Sequence, residues 1–196
     1  DQRMCLVPDG DLFNAIKSGK ASVVTDHIER FTKAGIKLKS GDELETDLIV
    51  TATGLNLLVC NGIELFVDNE QIDVSKKMTY KGMMFNDVPN LVATFGYTNA
   101  SWTLRADLTS EYVCRLLNFM DKRNFDYCCP RVDGVVEEDG NWLDFSSGYV
   151  VRSMHKFPKQ GSREPWRNTQ NYLKDIFAIR FGRLQNKELK FTVAKN

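Results

Sequence analysis

The sequence predicts a mixed α/β fold. Three patterns carry that expectation: closely spaced, alternating and β-branched segments across residues 21–51; a short apolar strand pattern at residues 91–95 that ends at Gly96 and leads into a long amphipathic helix at residues 103–122; and a last helical stretch at residues 168–181.

Taken in chain order, residues 11–20 (DLFNAIKSGK) place Leu12, Phe13 and Ile16 on one helical face and stop at Gly19, a left-handed cap type. Residues 21–32 (ASVVTDHIERFT) are rich in β-branched side chains, residues 35–39 (GIKLK) alternate strictly, Ser40-Gly41-Asp42 supplies a turn, and residues 43–51 (ELETDLIVT) return. Ile36, Leu38 and Leu44 are expected on one side of these strands, with lysines and acids facing water. Leu48, Ile49 and Val50 form a continuous apolar run, as in a strand buried on both faces, and this strand ends at Ala52-Thr53-Gly54. Residues 55–82 are less regular: Ile63, Leu65 and Val67 alternate, then Asp68-Asn69 breaks the run. A strand is expected around residues 78–85, and Val88-Pro89-Asn90 turns the chain into the strand at 91–95. The long helix carries an apolar stripe of Leu104, Leu108, Val113, Leu116, Leu117 and Met120, with Arg105, Asp107, Glu111 and Arg115 off it. Beyond Asn124 the chain reads as loop-rich, until Gly161 and Pro165 precede the last helix.

Composition excludes several classes of partner. Twenty-six basic residues balance twenty-six acidic ones in a chain of 196, so no net field would draw in nucleic acid. Arg180 and Arg183 read as a solvated helix face. Of five cysteines (Cys5, Cys60, Cys114, Cys128 and Cys129) two are adjacent, and none shows C-x-x-C or zinc-ligand spacing, so no metal site is expected and free thiols in a reducing, cytoplasmic setting are the simplest account. No apolar run approaches the roughly 20 residues that span a bilayer, and no signal peptide is visible. The chain opens on Asp1 rather than methionine, which reads as a fragment of something longer.

Two features carry chemistry. In the first, the strand at 91–95 delivers the chain through Gly96-Tyr97-Thr98-Asn99-Ala100-Ser101-Trp102 to the start of the long helix. Backbone N–H groups at a helix start lack intrahelical acceptors and favour a ligand that gathers negative charge. Asn99 and Ser101 are also good capping types, so an ordinary capped helix fits the same spacing. In the second, the strand ending at Thr53-Gly54 allows close approach of a ligand or another chain segment, and a bare turn fits equally.

Together these blocks resemble a specific family. The Ala52-Thr53-Gly54 strand end is similar to that of flavin-containing and Baeyer–Villiger monooxygenases, where it joins the NADPH domain back to the FAD domain. Residues 95–108 (FGYTNASWTLRADL) resemble the last FAD-domain strand and helix of that group, most of all in its ethionamide-activating type. Residues 6–13 (LVPDGDLF) and 161–166 (GSREPW) are similar to that type as well.

The resemblance implies the C-terminal part of a two-dinucleotide-binding-domain flavoprotein: residues 1–53 as the tail of the NADPH-binding domain with its β-meander, 54–125 as the C-terminal part of the FAD-binding domain, and 126–196 as a C-terminal extension. It further implies FAD reduced by NADPH, reaction of the flavin with O2, and transfer of oxygen from a flavin peroxide to a ketone or to a sulfur or nitrogen centre. Thr53, Gly54, Gly96, Thr98, Asn99, Ala100, Ser101 and Trp102 are the cofactor-side candidates it implies. No catalytic residue is assigned, since the family's peroxide-steadying arginine is expected upstream. Among thirteen glycines there is no G-x-G pair, and the family's F-x-G-x-x-x-H-x-x-x-W-P signature is absent, so the chain alone is expected not to grip FAD or NADPH and to be inactive. His27 and His155 read as surface or structural. Trp142 and Trp166 read as packing residues, although either could match a tryptophan loop found in some relatives. Exposed sheet edges would favour self-association. A non-catalytic binding or structural module derived from a flavoprotein is the alternative; a flavoprotein reductase fits less well, because its last strand usually ends in Gly-Asp.

Overall fold

The computed structural model describes residues 7–134, 136–143 and 145–194; Cys5 and Leu6 of the readings above lie outside them. The chain is mixed α/β with small antiparallel sheets, and it divides into two compact units, Asp1–Leu55 and Asn56–Asn196.

In the first unit, α1 (Asp11–Lys17) ends as its sequence indicates: Gly19 adopts φ 72° and its N–H donates to Ile16 O at 3.0 Å. Leu12, Phe13 and Ile16 are all exposed. A meander of β1 (Ile28–Phe31), β2 (Gly35–Leu38) and β3 (Glu43–Glu45) follows, with Ile36 opposite Leu44 and Leu38 opposite Ile28. Leu38 is buried, whereas Leu44 is exposed. Residues 21–27 do not join β1, and the expected strand at 46–51 is not formed: Leu48 and Val50 are 77% and 82% exposed. A strand needs a neighbour to take its N–H and C=O groups, and none of the described strands lies beside this run.

The second unit holds the core. β4 (Phe66–Val67) and β5 (Glu70–Gln71) form a hairpin turned by Asp68 and Asn69, both left-handed, which is the geometry a two-residue hairpin requires. The single strand expected near residues 78–85 is instead a second hairpin, β6 (Thr79–Tyr80) and β7 (Met84–Phe85), with Lys81 and Gly82 left-handed at its tip. Gly82 is needed there for room as well as for φ: a Cβ would stand 2.8 Å from Arg105 Nη2 and 2.9 Å from Asn168 Oδ1. Residues 91–95 join no sheet among the described residues; Ala93 N–H donates to Met83 O at 2.7 Å.

The long helix α2 (Trp102–Lys122) forms as its periodicity predicts, but the buried stripe is rotated. It comprises Arg105, Leu108, Thr109, Tyr112, Leu116 and Met120, while Leu117 is exposed. With Met78, Tyr80, Met83, Met84, Trp166 and Ile179 this face makes the main core. The region beyond Asn124, expected to be loops, contains β8 (Tyr127–Pro130), paired antiparallel with β9 (Leu189–Thr192), so Tyr127 faces Thr192 and Pro130 faces Leu189. A partner some sixty residues away leaves no local signature. After α3 (Gly148–Ser153), the last helix begins later than expected, as α4 (Tyr172–Asp175), capped by Asn171 Oδ1 accepting from Lys174 N–H at 3.1 Å, and continues as a π-helical segment, Ile176–Phe181. Cations close its carbonyl end: Arg115 donates to Ile179 O (2.6 Å) and Gly182 O (2.8 Å), and Lys81 Nζ to Ala178 O (2.9 Å). Arg180, read as a solvated cation, is half-buried and makes a two-point bond to Glu111 on α2. Trp142 and Trp166 are both buried; Trp142 Nε1 donates to Thr79 Oγ1 at 3.0 Å.

Candidate functional site

The site candidates fall in both units. Thr53 and Gly54 lie exposed near the end of the first, with Gly54 left-handed at φ 91°. The second unit gathers the other six at the start of α2. Gly96 and Tyr97 are buried, Thr98 half-buried, and Asn99, Ala100, Ser101 and Trp102 exposed.

Gly96 accommodates Trp102. A Cβ on Gly96 would sit 2.2 Å from Cγ of that indole, so no larger residue fits without driving the ring away. The indole is 56% exposed and also packs on Phe95, ring centroids 4.8 Å apart. The result is a half-open aromatic surface at the helix start.

The capping expected of Asn99 and Ser101 does not occur. Ser101 occupies the N-cap position with extended backbone, but its hydroxyl pairs with Thr103 Oγ1 at 2.7 Å and no side chain caps the helix. Asn99 Nδ2 instead donates to the carbonyl of Gln170 at 3.1 Å. The backbone N–H groups from Asn99 through Thr103 therefore have no acceptor among the described residues. They are unpaired donors at the helix start that carries the exposed Trp102, suited to a group bearing carbonyl oxygens or negative charge.

Behind this turn lies a buried polar cluster that the sequence does not reveal. Asp175 accepts from Tyr97 OH at 2.7 Å, from Thr169 Oγ1 at 2.5 Å, and from Arg105 Nη1 in a salt bridge with both side chains almost fully buried. Arg105 also donates to the Lys81 carbonyl, and its guanidinium lies 5.6 Å from the centre of the Tyr97 ring. Burial, then the Asp175 carboxylate, pushes the Tyr97 phenol well above its usual range, and burial pulls the Lys81 ammonium down. Arg105 was expected off the apolar stripe, yet it sits three residues before Leu108, in phase with Tyr112 and Leu116. That phase was the one available sign of its burial. Nothing local marks Thr169, Gln170 or Asp175.

His27 and His155 are exposed. Cys128 and Cys129 are buried free thiols, Cys60 is half-buried and Cys114 exposed. Among the described residues no group of His, Cys, Asp and Glu could hold a metal ion, and no helix is long and apolar enough to cross a membrane.

Comparison with known proteins places the chain. It is 55% identical over 191 residues to the FAD-containing monooxygenase EthA of Mycobacterium tuberculosis (strain ATCC 25618 / H37Rv), covering 97% of this chain and 39% of that protein. It is 50% identical over 192 residues to EthA of Mycolicibacterium smegmatis, covering 98% and 39%. To the protein described as "Probable FAD-binding monooxygenase AlmA" of Acinetobacter baylyi it is 47% identical over 192 residues, covering 97% and 39%. No family profile and no solved structure matches. Over nearly all of its length the chain is thus similar to FAD-containing monooxygenases, EthA among them, and it spans about two fifths of the length of the curated relatives it matches.

Proposed function

We propose that this chain is the C-terminal segment of an FAD- and NADPH-dependent monooxygenase of the Baeyer–Villiger type, built on a two-dinucleotide-binding-domain fold, and that the turn from Gly96 to Trp102 forms one wall of its flavin site. The observation that supports this most is the uncapped start of α2, where the N–H groups from Asn99 through Thr103 stand open beside the Trp102 indole. The donor set fits the pyrimidine edge of a flavin, which has carbonyl oxygens and gathers negative charge on reduction. When bound, FAD would take hydride from NADPH and pass the electrons to O2, for oxygenation of a ketone or of a sulfur or nitrogen centre.

This chain's own residues would bind and shield. The backbone from Asn99 to Thr103 would donate to the cofactor edge, Trp102 would cover it from water, and Gly96 would leave space for that indole. Thr53 and Gly54, at the end of the first unit, would serve where the NADPH and FAD domains join. Alone, the chain would hold neither cofactor firmly, because it lacks glycine-rich turns that cradle pyrophosphate.

Ser101→Pro in the full-length chain tests this reading. Ser101 already has φ −63°, which proline matches, so the change deletes one N–H together with the hydroxyl that pairs with Thr103. The FAD dissociation constant is expected to rise roughly tenfold or more, as for loss of a hydrogen bond to a charged group. Unchanged affinity, or a colourless full-length protein that does not oxidise NADPH, overturns the reading. Near-stoichiometric FAD binding by the 196-residue chain alone would overturn the claim that it is only one wall.

A further inference from the structure

We infer that a cleft on the second unit binds an amphipathic anion, a single alkyl chain that ends in a carboxylate. None of the residues lining it belongs to the Gly96–Trp102 turn, so the inference does not rest on the flavin reading. The cleft has a volume of about 520 Å³, inside the range of roughly 300–1,000 Å³ usual for small-molecule sites. Three segments wall it: the turn Val59–Gly62, residues 71–75, and the single helical turn Met154–Lys156. Backbone bonds hold these walls in place. Lys159 N–H donates to Lys77 O at 2.8 Å and Thr79 N–H to Lys159 O at 2.9 Å, which joins the chain just after the second wall to the chain just after the third. Ile72 N–H donates to Leu65 O at 2.8 Å, and Val59 packs against the buried cluster of Trp142 and Phe157. A cleft already formed loses little conformational freedom when it is filled.

The lining chemistry is of two kinds. Val59, Ile63, Ile72 and Val74 bring branched aliphatic side chains, all of them at least partly open to solvent. An alkyl chain laid over them removes apolar surface from water on both sides, worth about 25 cal/mol for each Å². The charges select the other end of the ligand. Asp73, the carboxylate among the lining residues, is already satisfied: Oδ1 accepts from Ser75 N–H at 3.1 Å and Ser75 O–H at 2.6 Å, and Oδ2 pairs with Lys76 at 3.3 Å. His155 and Lys156 are exposed, and neither has a hydrogen-bond or ion-pair partner among the described residues. The Lys156 ammonium offers three donors, and the imidazole offers at least one N–H in either protonation state. With its acid engaged and its cations open, the cleft favours an anion, and a carboxylate matches those donors in charge-assisted bonds.

The test titrates octanoate and 1-octanol calorimetrically into the full-length wild-type chain and into Lys156→Met, Lys156→Arg and Ile63→Ser. Both positions are exposed, Ile63 at 66%, so the variants are expected to fold, with thermal unfolding as the check. Wild type is expected to bind octanoate more tightly than 1-octanol. Lys156→Met should weaken octanoate roughly fivefold, the upper end for an exposed ion pair, and leave 1-octanol unchanged. Lys156→Arg keeps the charge and should hold octanoate within about twofold of wild type, which a merely structural role for the side chain would not separate from Lys156→Met. Ile63→Ser should weaken both ligands alike, roughly threefold, through lost apolar contact. Absence of octanoate binding, equal affinity of wild type for the two ligands, or octanoate binding indifferent to Lys156→Met or to Ile63→Ser overturns the inference; the last outcome would put the ligand elsewhere on the protein.

Discussion

Residues 46–51 and residues 79–85 carry comparable apolar density, yet they end in opposite environments. In the first unit Leu48 and Val50 are 77% and 82% exposed and join no sheet. In the second, Tyr80 and Met84 are fully buried, paired across a hairpin and roofed by α2. Hydrophobicity is therefore not what separates them. The hairpin at 79–85 supplies its own hydrogen-bond partner within a few residues, whereas a lone extended segment must borrow one, and burying its unpaired backbone would cost more than its side chains return. The same contrast holds for the units as wholes. Among the described residues of the first, Leu38 is the one buried large apolar side chain; the second has two distinct clusters, around Leu108 and around Trp142.

The contrast is open to direct attack. The largest effect should come from Asp175→Ala, which strands the Arg105 charge in the core and is expected to cost about 3–5 kcal/mol. It should appear as a lower urea midpoint followed by labelling of Cys128 and Cys129, with amide protection in β1–β3 unchanged. A matching loss in the meander would show that the two units unfold as one.

A smaller effect is expected at alkaline pH. Burial raises the Cys128 thiol from 9.0 to about 11. The native state then holds this proton more tightly than the unfolded state does, so its stabilising contribution is complete below pH 9.0 and is lost as pH rises towards about 11. Lys81, whose ammonium is pulled down by burial, works in the opposite sense on approaching its ordinary range, so the informative comparison is wild type against Cys128→Ala. The variant should lose stability less steeply over that window in pH-dependent urea titrations; parallel curves would mean that the thiol is not what burial perturbs. The smallest effect belongs to Val50→Ser, expected within about 0.5 kcal/mol of wild type in thermal unfolding because the side chain already faces water. A larger loss would reveal a partner for this run.

Much of the framework was legible from periodicity and turn chemistry. The long helix, the cap at Gly19, the turn at Asp68-Asn69 and the meander core each rest on residues within a few positions of one another, and local sterics and hydrogen bonding settle them. The apolar content of residues 91–95 indicates a strand but cannot supply the partner a strand needs, and β8 has no local signature because β9 lies far along the chain. The buried face of the helix includes Arg105, off the apolar stripe, because Asp175 neutralises it in the core.

The candidate site divides in the same way. The sequence by itself determined that a glycine, a polar turn and a tryptophan lead into a long helix. Only the tertiary structure decided that this helix start is left uncapped. Asn99 and Ser101 are chemically able to cap it, but neighbouring Thr103 pairs with the Ser101 hydroxyl, and Asn99 Nδ2 donates instead to the backbone carbonyl of Gln170, brought across by the packing of the last helix on α2. Hydrogen bonds between residues seventy apart depend on the assembled core, and no local pattern of side chains encodes them.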